Sequence, residues 1–252
     1  MKKVTIIVLI LSVATISISR AGDPLNILGL ENYAREKAES LLDPVADSFN
    51  SILNSGIYAP TSAKRINIGV EVLTLYPLKN EGVLTNAPVS AIPFPLLFAG
   101  IKLPILPVSA FMRAIKFPIE YEGEKPLIIG GGIGWEAWNP PVIPLKINLV
   151  LSYHLLKDFP HLDANAWTGT VITTLSFPKI KAYANFGYGQ AKVTAKNITF
   201  AGQSVAEDFE VTNKNFRAGF GIDLGFIPSM GINFEYNILP SSVITASLMV
   251  RF

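Results

Sequence analysis

In several short segments every second residue belongs to a polar face, and these faces carry charged side chains. The charged residues are the first candidates for a functional site. The set comprises Arg65, Glu71, Arg113, Glu136, Lys146, Lys181, Arg217, Asp223, Glu235 and Arg251. Both signs are present in similar numbers. The pattern therefore predicts either ion pairs that neutralise one another inside an enclosed space or a selectivity path through that space.

Ser152 and His154 lie two residues apart, so they share one face if the segment is a strand. At this spacing a histidine can act as a base toward a serine. No acidic partner can be assigned from the sequence. We therefore expect a buried polar pair rather than an enzyme, with a lipid acyl hydrolase as the open alternative.

His161 lies beside Asp158 and Asp163, a combination that could bind a metal weakly. A solvated loop is the simpler interpretation. The chain has no cysteine, which excludes thiolate metal sites and disulfides, and its two histidines leave little material for a zinc site. We predict no catalytic residue, no cofactor and no metal.

The composition indicates where such residues would be held. Of 252 residues 50% are hydrophobic and only 16% are charged, yet beyond the first 20 residues no apolar run reaches the ~18–20 residues of a membrane helix. Lys2 and Lys3 precede an apolar run over 4–18 and the small residues before Gly22, which predicts a cleaved signal peptide over 1–21. Without that segment the formal net charge falls from +2 to −1, so we expect no nucleic-acid partner.

Residues 30–53 show helical spacing of apolar side chains along one stripe. Pro44 interrupts the pattern, and with Asp43 as a cap it predicts two helices that meet at a kink. Gly56 is expected to end the second one. The segment 22–58 is thus predicted to be a kinked amphipathic helix, either a plug inside the rest of the protein or a periplasmic cap beneath it.

After residue 64 the period changes to two, which predicts strands. The clearest case alternates Phe216, Phe220 and Ile222 with Arg217 and Asp223. The predicted strands are 66–76, 108–117, 127–137, 145–155, 166–177, 180–192, 215–226, 230–238 and 242–252. Alternation alone fits both a soluble sandwich and a membrane barrel.

Three further features favour an all-β, antiparallel transmembrane barrel over residues 59–252. Aromatic residues gather near strand ends, as in interfacial girdles: Tyr76, Trp135, Tyr153, Trp167, Phe177, Phe216, Phe226 and Tyr236. The opposite faces carry small or polar residues that suit a crowded lumen: Gly130, Gly132, Gly134, Asn185, Gly187 and Gly189. The sequence also places an aromatic residue, Phe252, at the end of an alternating strand, which resembles the assembly signal of bacterial outer-membrane barrels. The expected partners are outer-membrane lipid and the barrel-assembly machinery.

The strand count follows from the even number that bacterial single-chain barrels contain. Nine strands are evident, so a tenth is predicted between residues 87 and 102, although Pro93 and Pro95 weaken that segment. We predict ten strands, with eight or twelve as alternatives. Short joints then fall on the periplasmic side, and the longer connections 120–126, 156–165 and 194–212 are predicted to be external loops.

The stretch LLDPVADSFNSILNSGIY over 41–58, followed by alternating strands and Phe252, resembles a group of functionally uncharacterised outer-membrane barrels from Bacteroidetes-type bacteria. Members of that group begin with a helix and an Asn-Ser-Gly-aromatic exit. In layout only, the chain is also similar to the longer outer-membrane transporters of long-chain fatty acids, whose N-terminus plugs the barrel. No functional residue is transferred by either resemblance.

Two functions are compatible with these features. The first is passive uptake or binding of a small hydrophobic molecule by a plugged barrel in the outer membrane. The apolar helix stripe and four lumen-directed residues, Phe111, Val150, Val243 and Met249, would line its path. The second is a structural or partner-binding barrel that acts through the external loop 194–212, with Phe200, Glu207, Asp208, Phe209 and Glu210.

Overall fold

The computed structural model describes residues 31, 35–62, 65–75, 92–116, 125–159, 161–198, 207–227 and 229–252. In these ranges the chain forms two helices and ten strands. The helices are α1 (Arg35–Leu53) and α2 (Tyr58–Thr61); the strands are β1 (Ile66–Leu75), β2 (Ile92–Lys102), β3 (Val108–Lys116), β4 (Leu127–Trp138), β5 (Leu145–Phe159), β6 (Leu162–Ser176), β7 (Ile180–Ile198), β8 (Glu207–Ile227), β9 (Met230–Leu239) and β10 (Val243–Arg251). The predicted signal segment lies outside the described residues.

The ten strands pair antiparallel with their neighbours in sequence, and β1 also pairs with β10, so the sheet closes into a barrel. Val70, for example, lies opposite both Leu248 and Leu97. The prediction of a ten-stranded antiparallel barrel is confirmed, including the tenth strand, which is β2. Its two prolines precede Leu97, the first β2 residue that pairs with β3, so the missing donors fall where β2 has a ladder on one side only.

Successive side chains of each strand point alternately into and out of the barrel. In the membrane part the outward side chains are apolar and exposed, as Phe220, Ile222 and Phe234 are, whereas Asp223 and Asn233 on the inward face are buried. An apolar outer surface on a polar interior is the pattern of a barrel that spans a bilayer. Within the described residues, no helix is both long and apolar enough to cross a membrane.

Four outward aromatic residues form a continuous row across β5 to β8. Tyr153 pairs with Trp167, the Trp167 and Tyr188 rings lie 6.2 Å apart, and the Tyr188 and Phe216 rings lie 5.3 Å apart. Trp135, Phe177 and Tyr236 are also exposed. Nothing is described of Tyr76 or of the Phe226 side chain. The row has the composition and the position of an interfacial aromatic girdle.

The four middle strands are much longer than the sequence predicts. β5 and β6 have 15 residues, β7 has 19 and β8 has 21, whereas the other six have 9 to 12. The predicted external loops 156–165 and 194–212 are therefore wrong, because most of their residues extend these strands beyond the aromatic row. We call this extension the crown, and the opposite end, where Arg65 precedes β1 and Phe252 follows β10, the base.

The helix α1 runs without interruption through Pro44, so the prediction of two helices meeting there is wrong. The chain bends later, at Gly56, whose φ of 72° is accessible to glycine at little cost. Six consecutive residues of α1, 48–53, are each no more than 5% exposed, and six residues in a row cover every face of a helix. Burial on all sides requires a surrounding wall, so the helix lies inside the barrel.

From Ala38 to Leu53, the apolar side chains of α1 pack in one cluster with the barrel wall, which we call the chamber. The helix contributes Ala38, Leu42, Val45, Ala46, Phe49, Ile52 and Leu53; the wall contributes Leu73, Leu75, Phe94, Leu96, Ile128, Leu156, Phe159, Leu162, Ala164, Ala166, Ala191, Val193, Ala195, Ile198, Phe209, Val211 and Val243. Phe49 lies edge-on to Phe94 and Phe159 at 6.3 and 6.2 Å between ring centroids. Each large side chain buried in this way contributes about 1.5–3 kcal/mol to stability.

The absence of a side chain at Gly100 of β2 lets α2 pack close to the barrel wall. Substitution of this glycine tests that close contact. A Cβ added at Gly100 would fall on the carbonyl oxygen of Pro60 and on Asn67. We expect Gly100→Ala to lower the free energy of unfolding by about 1–3 kcal/mol, because backbone cannot move aside cheaply. Gly169→Ala is the matched control, since its Cβ would meet only Leu151 Cδ2 at 3.4 Å. Urea unfolding in detergent micelles, followed by tryptophan fluorescence, measures both; equal losses would contradict the tight α2 contact.

Candidate functional site

Five charged or polar side chains from five strands meet halfway along the lumen, at the C-terminal end of α1. We call them the clamp: Glu71 of β1, Arg113 of β3, His154 of β5, Arg217 of β8 and Glu235 of β9. All five are inward by the alternation of their strands, and none is more than 2% exposed. They are among the residues that the sequence selects, and the structure brings them together.

Arg113 is the centre of the clamp. Its Nη1 donates to Glu71 Oε1 at 3.0 Å and to the carbonyl oxygen of Ser55 at 2.5 Å. Its Nη2 donates to the carbonyl oxygen of Leu53 at 2.7 Å. Its Nε donates to His154 Nε2 at 3.1 Å, so His154 Nε2 is the unprotonated nitrogen of the imidazole ring. One guanidinium thus joins two strands of the wall to the end of the helix.

Arg217 and Glu235 hold the same turn from the other side of the lumen. Arg217 donates to the carbonyl oxygen of Asn54, and Glu235 Oε1 accepts from the Gly56 N–H at 3.1 Å. Asn237 donates to Ser55 Oγ at 3.1 Å. The turn needs glycine at position 56, because an added Cβ would meet Glu71 Oε2 at 2.7 Å.

The charges of the clamp balance, with two arginines and two glutamates. The last carbonyl groups of a helix have no partner within it and carry the negative end of its dipole, so arginines are favourable there. Desolvation of four charges is expensive, and a buried network of this kind adds little net stability. What it does add is position: the helix end can sit at one place in the lumen only.

An aromatic stack lies directly below the clamp. The Tyr58 and Tyr183 rings are 3.7 Å apart and 6° from parallel. The Tyr183 hydroxyl donates to Glu235 Oε2 at 2.9 Å, which connects the stack to the clamp. Burial, reinforced by the charge of Asp223, raises the pKa of Tyr58, so its hydroxyl stays protonated.

The clamp leaves little room for a solute. A cavity of about 10 Å³ lies between the α1 end and the wall at Arg113 and His154, which is the space of one water molecule. The Ser152 and His154 pair is buried, and His154 Nε2 is already occupied by Arg113. This geometry does not favour catalysis. In the described residues, no group of three or more His, Cys, Asp or Glu side chains could hold a metal.

Toward the base, two carboxylates each bridge two cations. Glu136 Oε2 lies 2.7 Å from Lys102 Nζ and 2.5 Å from Lys146 Nζ. Asp223 lies 2.5 Å from Arg251 Nη2 and 3.7 Å from Lys181 Nζ. Arg65, in contrast, precedes β1 and is exposed at the base rather than inside the lumen.

The other sequence candidates divide between the interior and the crown. Phe111, Val150, Val243 and Met249 are buried inside. Phe209 belongs to β8 and is 1% exposed, so its assignment to an exposed loop is wrong; Asp208 and Glu210 lie on the same strand. The sequence misses Lys102, Tyr58, Tyr183 and Asn237, although Tyr183 lies in period-two register with Lys181 on β7 and Asn237 with Glu235 on β9. Phe200 lies outside the described residues, and nothing is described of the Glu207 side chain.

A closed ten-stranded antiparallel barrel with an apolar outer surface and an internal helix defines an outer-membrane β-barrel protein. No protein-family model matches the chain, and no curated protein matches its sequence.

Solved structures resemble it at low identity. Ail, the attachment invasion locus protein of Yersinia pestis, is 10% identical over 73% of this chain and 92% of its own, with a TM-score of 0.28. The KdgM porin is 4% identical over 74% and 99%, with a TM-score of 0.35. The toluene transporter TodX of Pseudomonas putida is 9% identical over 93% and 77%, with a TM-score of 0.31. These proteins are outer-membrane barrels; the resemblances to a Bacteroidetes-type group and to fatty-acid transporters stay predictions.

Proposed function

We propose that this protein is a plugged barrel of the bacterial outer membrane that admits or binds a small hydrophobic molecule in the chamber. The base would face the periplasm and the crown the exterior. The helix α1 would be the movable element, because it occupies the volume that a solute needs. Outer-membrane lipid and the barrel-assembly machinery are the expected partners, with Phe252 as the assembly signal.

The observation that carries this proposal is the different attachment of the two ends of α1. Its C-terminal end is held by charged hydrogen bonds of the clamp, whereas the preceding turns, 35–49, which we call the crown part of α1, pack mainly through apolar contacts with the chamber wall. Apolar contacts are not directional, so an apolar solute can replace them at little net cost. A charged network cannot be replaced in this way. The crown part is therefore the part of α1 that a hydrophobic solute would displace.

Locking the crown part of α1 to the wall tests the proposal. The chain has no cysteine, so the pair Asp47→Cys and Asn215→Cys can be joined by a short, reducible methanethiosulfonate crosslinker; these side chains are in hydrogen-bond contact. We expect the lock to slow entry of the dye N-phenyl-1-naphthylamine into Gram-negative cells several-fold, because the helix can no longer leave the chamber. Reduction should restore the rate.

The control places the same crosslinker within the wall, at Lys192→Cys and Thr212→Cys, which are register partners on β7 and β8. It should leave dye entry unchanged. If dye entered at the same rate in cells with the crosslinked protein, cells with the reduced protein and cells that lack the protein, the uptake proposal would be overturned.

A partner-binding role is the second candidate, and the outer face of the crown favours it. Above the aromatic row the outward side chains become charged, including Lys192, Lys196, Glu210 and Lys214. The outer face of the crown would then bind the partner, the role that the sequence assigns to an external loop over 194–212. Replacing Lys192 and Lys214 by glutamate should abolish attachment of such a partner and leave dye entry intact, which separates the two functions.

A further inference from the structure

The base of the barrel carries a marked excess of positive charge. Among the described side chains at this end, six are basic and two are acidic: Arg65, Lys102, Lys146, Lys179, Lys181 and Arg251 against Glu136 and Asp223. The clamp above is balanced and does not offset this excess. An anion approaching the base therefore meets a net attractive field, concentrated by the low-dielectric wall.

The best-formed part of this surface is the group of Lys102, Glu136 and Lys146. Both ammonium groups contact the same oxygen, Glu136 Oε2, so they lie close to each other. Glu136 Oε1 accepts from Asn139 at 2.7 Å, which fixes the carboxylate. One carboxylate cannot neutralise two ammonium groups, and each has donors beyond the one directed at Glu136. The lysine side chains are 30% and 28% exposed, so both can be reached from the base.

A similar group faces it from the other strands, with Asp223 between Lys181 and Arg251. The Arg251 side chain is 11% exposed. The base thus presents two fixed cation pairs, each with a net charge of +1. Their common feature is a carboxylate that orients the cations without cancelling them.

The crown contains a group of the same composition in a different setting. Asp163 lies 3.1 Å from Lys157 Nζ and 2.9 Å from Lys196 Nζ. Asp158 donates its backbone N–H to Asp163, and Asp208 binds the neighbouring Asn197 N–H. Acidic side chains therefore surround the crown group and offset its excess charge, which makes it an internal control.

We infer that the base of the barrel is a binding site for a phosphate-bearing anion, held between Lys102 and Lys146. Lysine ammonium groups bind phosphate as point charges, and a tetrahedral anion has enough oxygens to contact both nitrogens. The phosphate could belong to a soluble ester or to the headgroup of a phospholipid at the rim. This site is separate from the chamber and does not depend on uptake of a hydrophobic molecule.

Titration of the full-length protein with inorganic phosphate, in maltoside micelles that contain no phosphate, tests the site by ³¹P line broadening. We expect wild-type protein to bind phosphate and the double variant Lys102→Gln, Lys146→Gln to bind it about tenfold more weakly, because both direct donors are lost. Glu136→Gln should bind phosphate more tightly than wild type, since it removes the competing carboxylate. A purely structural role for these residues would not produce opposite changes.

The control variant Lys157→Gln, Lys196→Gln makes the same charge change at the crown and should leave phosphate binding unaltered. Equal weakening by the two double variants, or no binding by wild-type protein, would overturn the inference. Repeating the titration in phosphatidylglycerol nanodiscs distinguishes the two sources. Weaker binding of free phosphate there identifies a lipid headgroup as the occupant, whereas unchanged binding identifies a soluble ester.

Discussion

Arg113→Met should lower the free energy of unfolding by about 3–5 kcal/mol, the loss typical of breaking a buried ion pair from one side. Methionine fills much of the volume but leaves Glu71 as a buried, uncompensated charge. It also leaves the carbonyl oxygens of Leu53 and Ser55 without the donors that Arg113 provides. Urea unfolding in micelles gives the stability. Limited proteolysis within 35–57 should reveal release of the helix before the barrel unfolds.

The matched control is Lys192→Met, which breaks an ion pair on the crown surface whose lysine and glutamate are 38% and 51% exposed. We expect it to cost about 0–1 kcal/mol, because water and salt already screen that pair. The double variant Arg113→Met, Glu71→Met should be more stable than Arg113→Met alone, since no unpaired carboxylate remains. If Arg113→Met were as stable as Lys192→Met, the clamp would not hold the helix.

The strands of the membrane part are predictable because two constraints act on them at once. Lipid requires apolar side chains on one face, and the crowded lumen requires small or polar ones on the other. Residues 216–224 satisfy both, so the period of two is visible without any partner strand. The strand β2 is predictable for a different reason, despite Pro93 and Pro95: a bacterial single-chain barrel has an even number of strands, so nine evident strands require one more.

The crown is missed because the polarity of the two faces inverts at the aromatic row. Below Tyr188 the outward residues of β7 are apolar; above it they are Gln190, Lys192, Thr194 and Lys196, and the apolar residues turn inward. The alternation of Ala191, Val193 and Ala195 continues without a break. A search for apolar residues on the lipid face ends where the membrane ends, although the strand does not.

The clamp could be predicted only in part. Period two directs Glu71, Arg113, Arg217 and Glu235 to the interior, but it does not say which of them pair. Glu71 and Arg113 are 42 residues apart in sequence, and their contact depends on the register of β1, β2 and β3. The helix carbonyls that both arginines bind are backbone groups, which no side-chain pattern reports. The Asn-Ser-Gly exit marks the right place without revealing its partners.

Pro44 shows how tertiary packing overrides a local preference. A proline inside a helix removes one hydrogen bond and costs roughly 3 kcal/mol. The neighbouring helix residues Leu42, Val45 and Ala46 are each no more than 1% exposed in the chamber. The burial of three side chains outweighs one lost backbone bond, so α1 continues where an isolated peptide would break.

Phe49→Ala should also lower the free energy of unfolding by about 3–5 kcal/mol. The ring is 3% exposed and packs edge-on to Phe94 and Phe159, in the centre of the chamber. Its removal leaves an apolar void that the closed barrel wall cannot collapse to fill. Such voids stay dry and take up small apolar molecules. We therefore expect Phe49→Ala, unlike wild-type protein, to be restabilised by benzene in urea unfolding.

Phe186→Ala removes the same side chain from the lipid-facing surface, where the ring is 56% exposed and stacks on Phe216. It should lower the free energy of unfolding much less than Phe49→Ala does, because lipid or detergent replaces the lost contacts, and benzene should not restore stability selectively.

The two variants also test the uptake proposal. If a hydrophobic solute enters by displacing α1, a chamber with a preformed void should admit N-phenyl-1-naphthylamine faster than wild type. If Phe49→Ala admits the dye faster and the crosslink between positions 47 and 215 abolishes this gain, the solute route lies along the helix. If Phe49→Ala binds benzene but admits the dye no faster, the chamber serves stability alone.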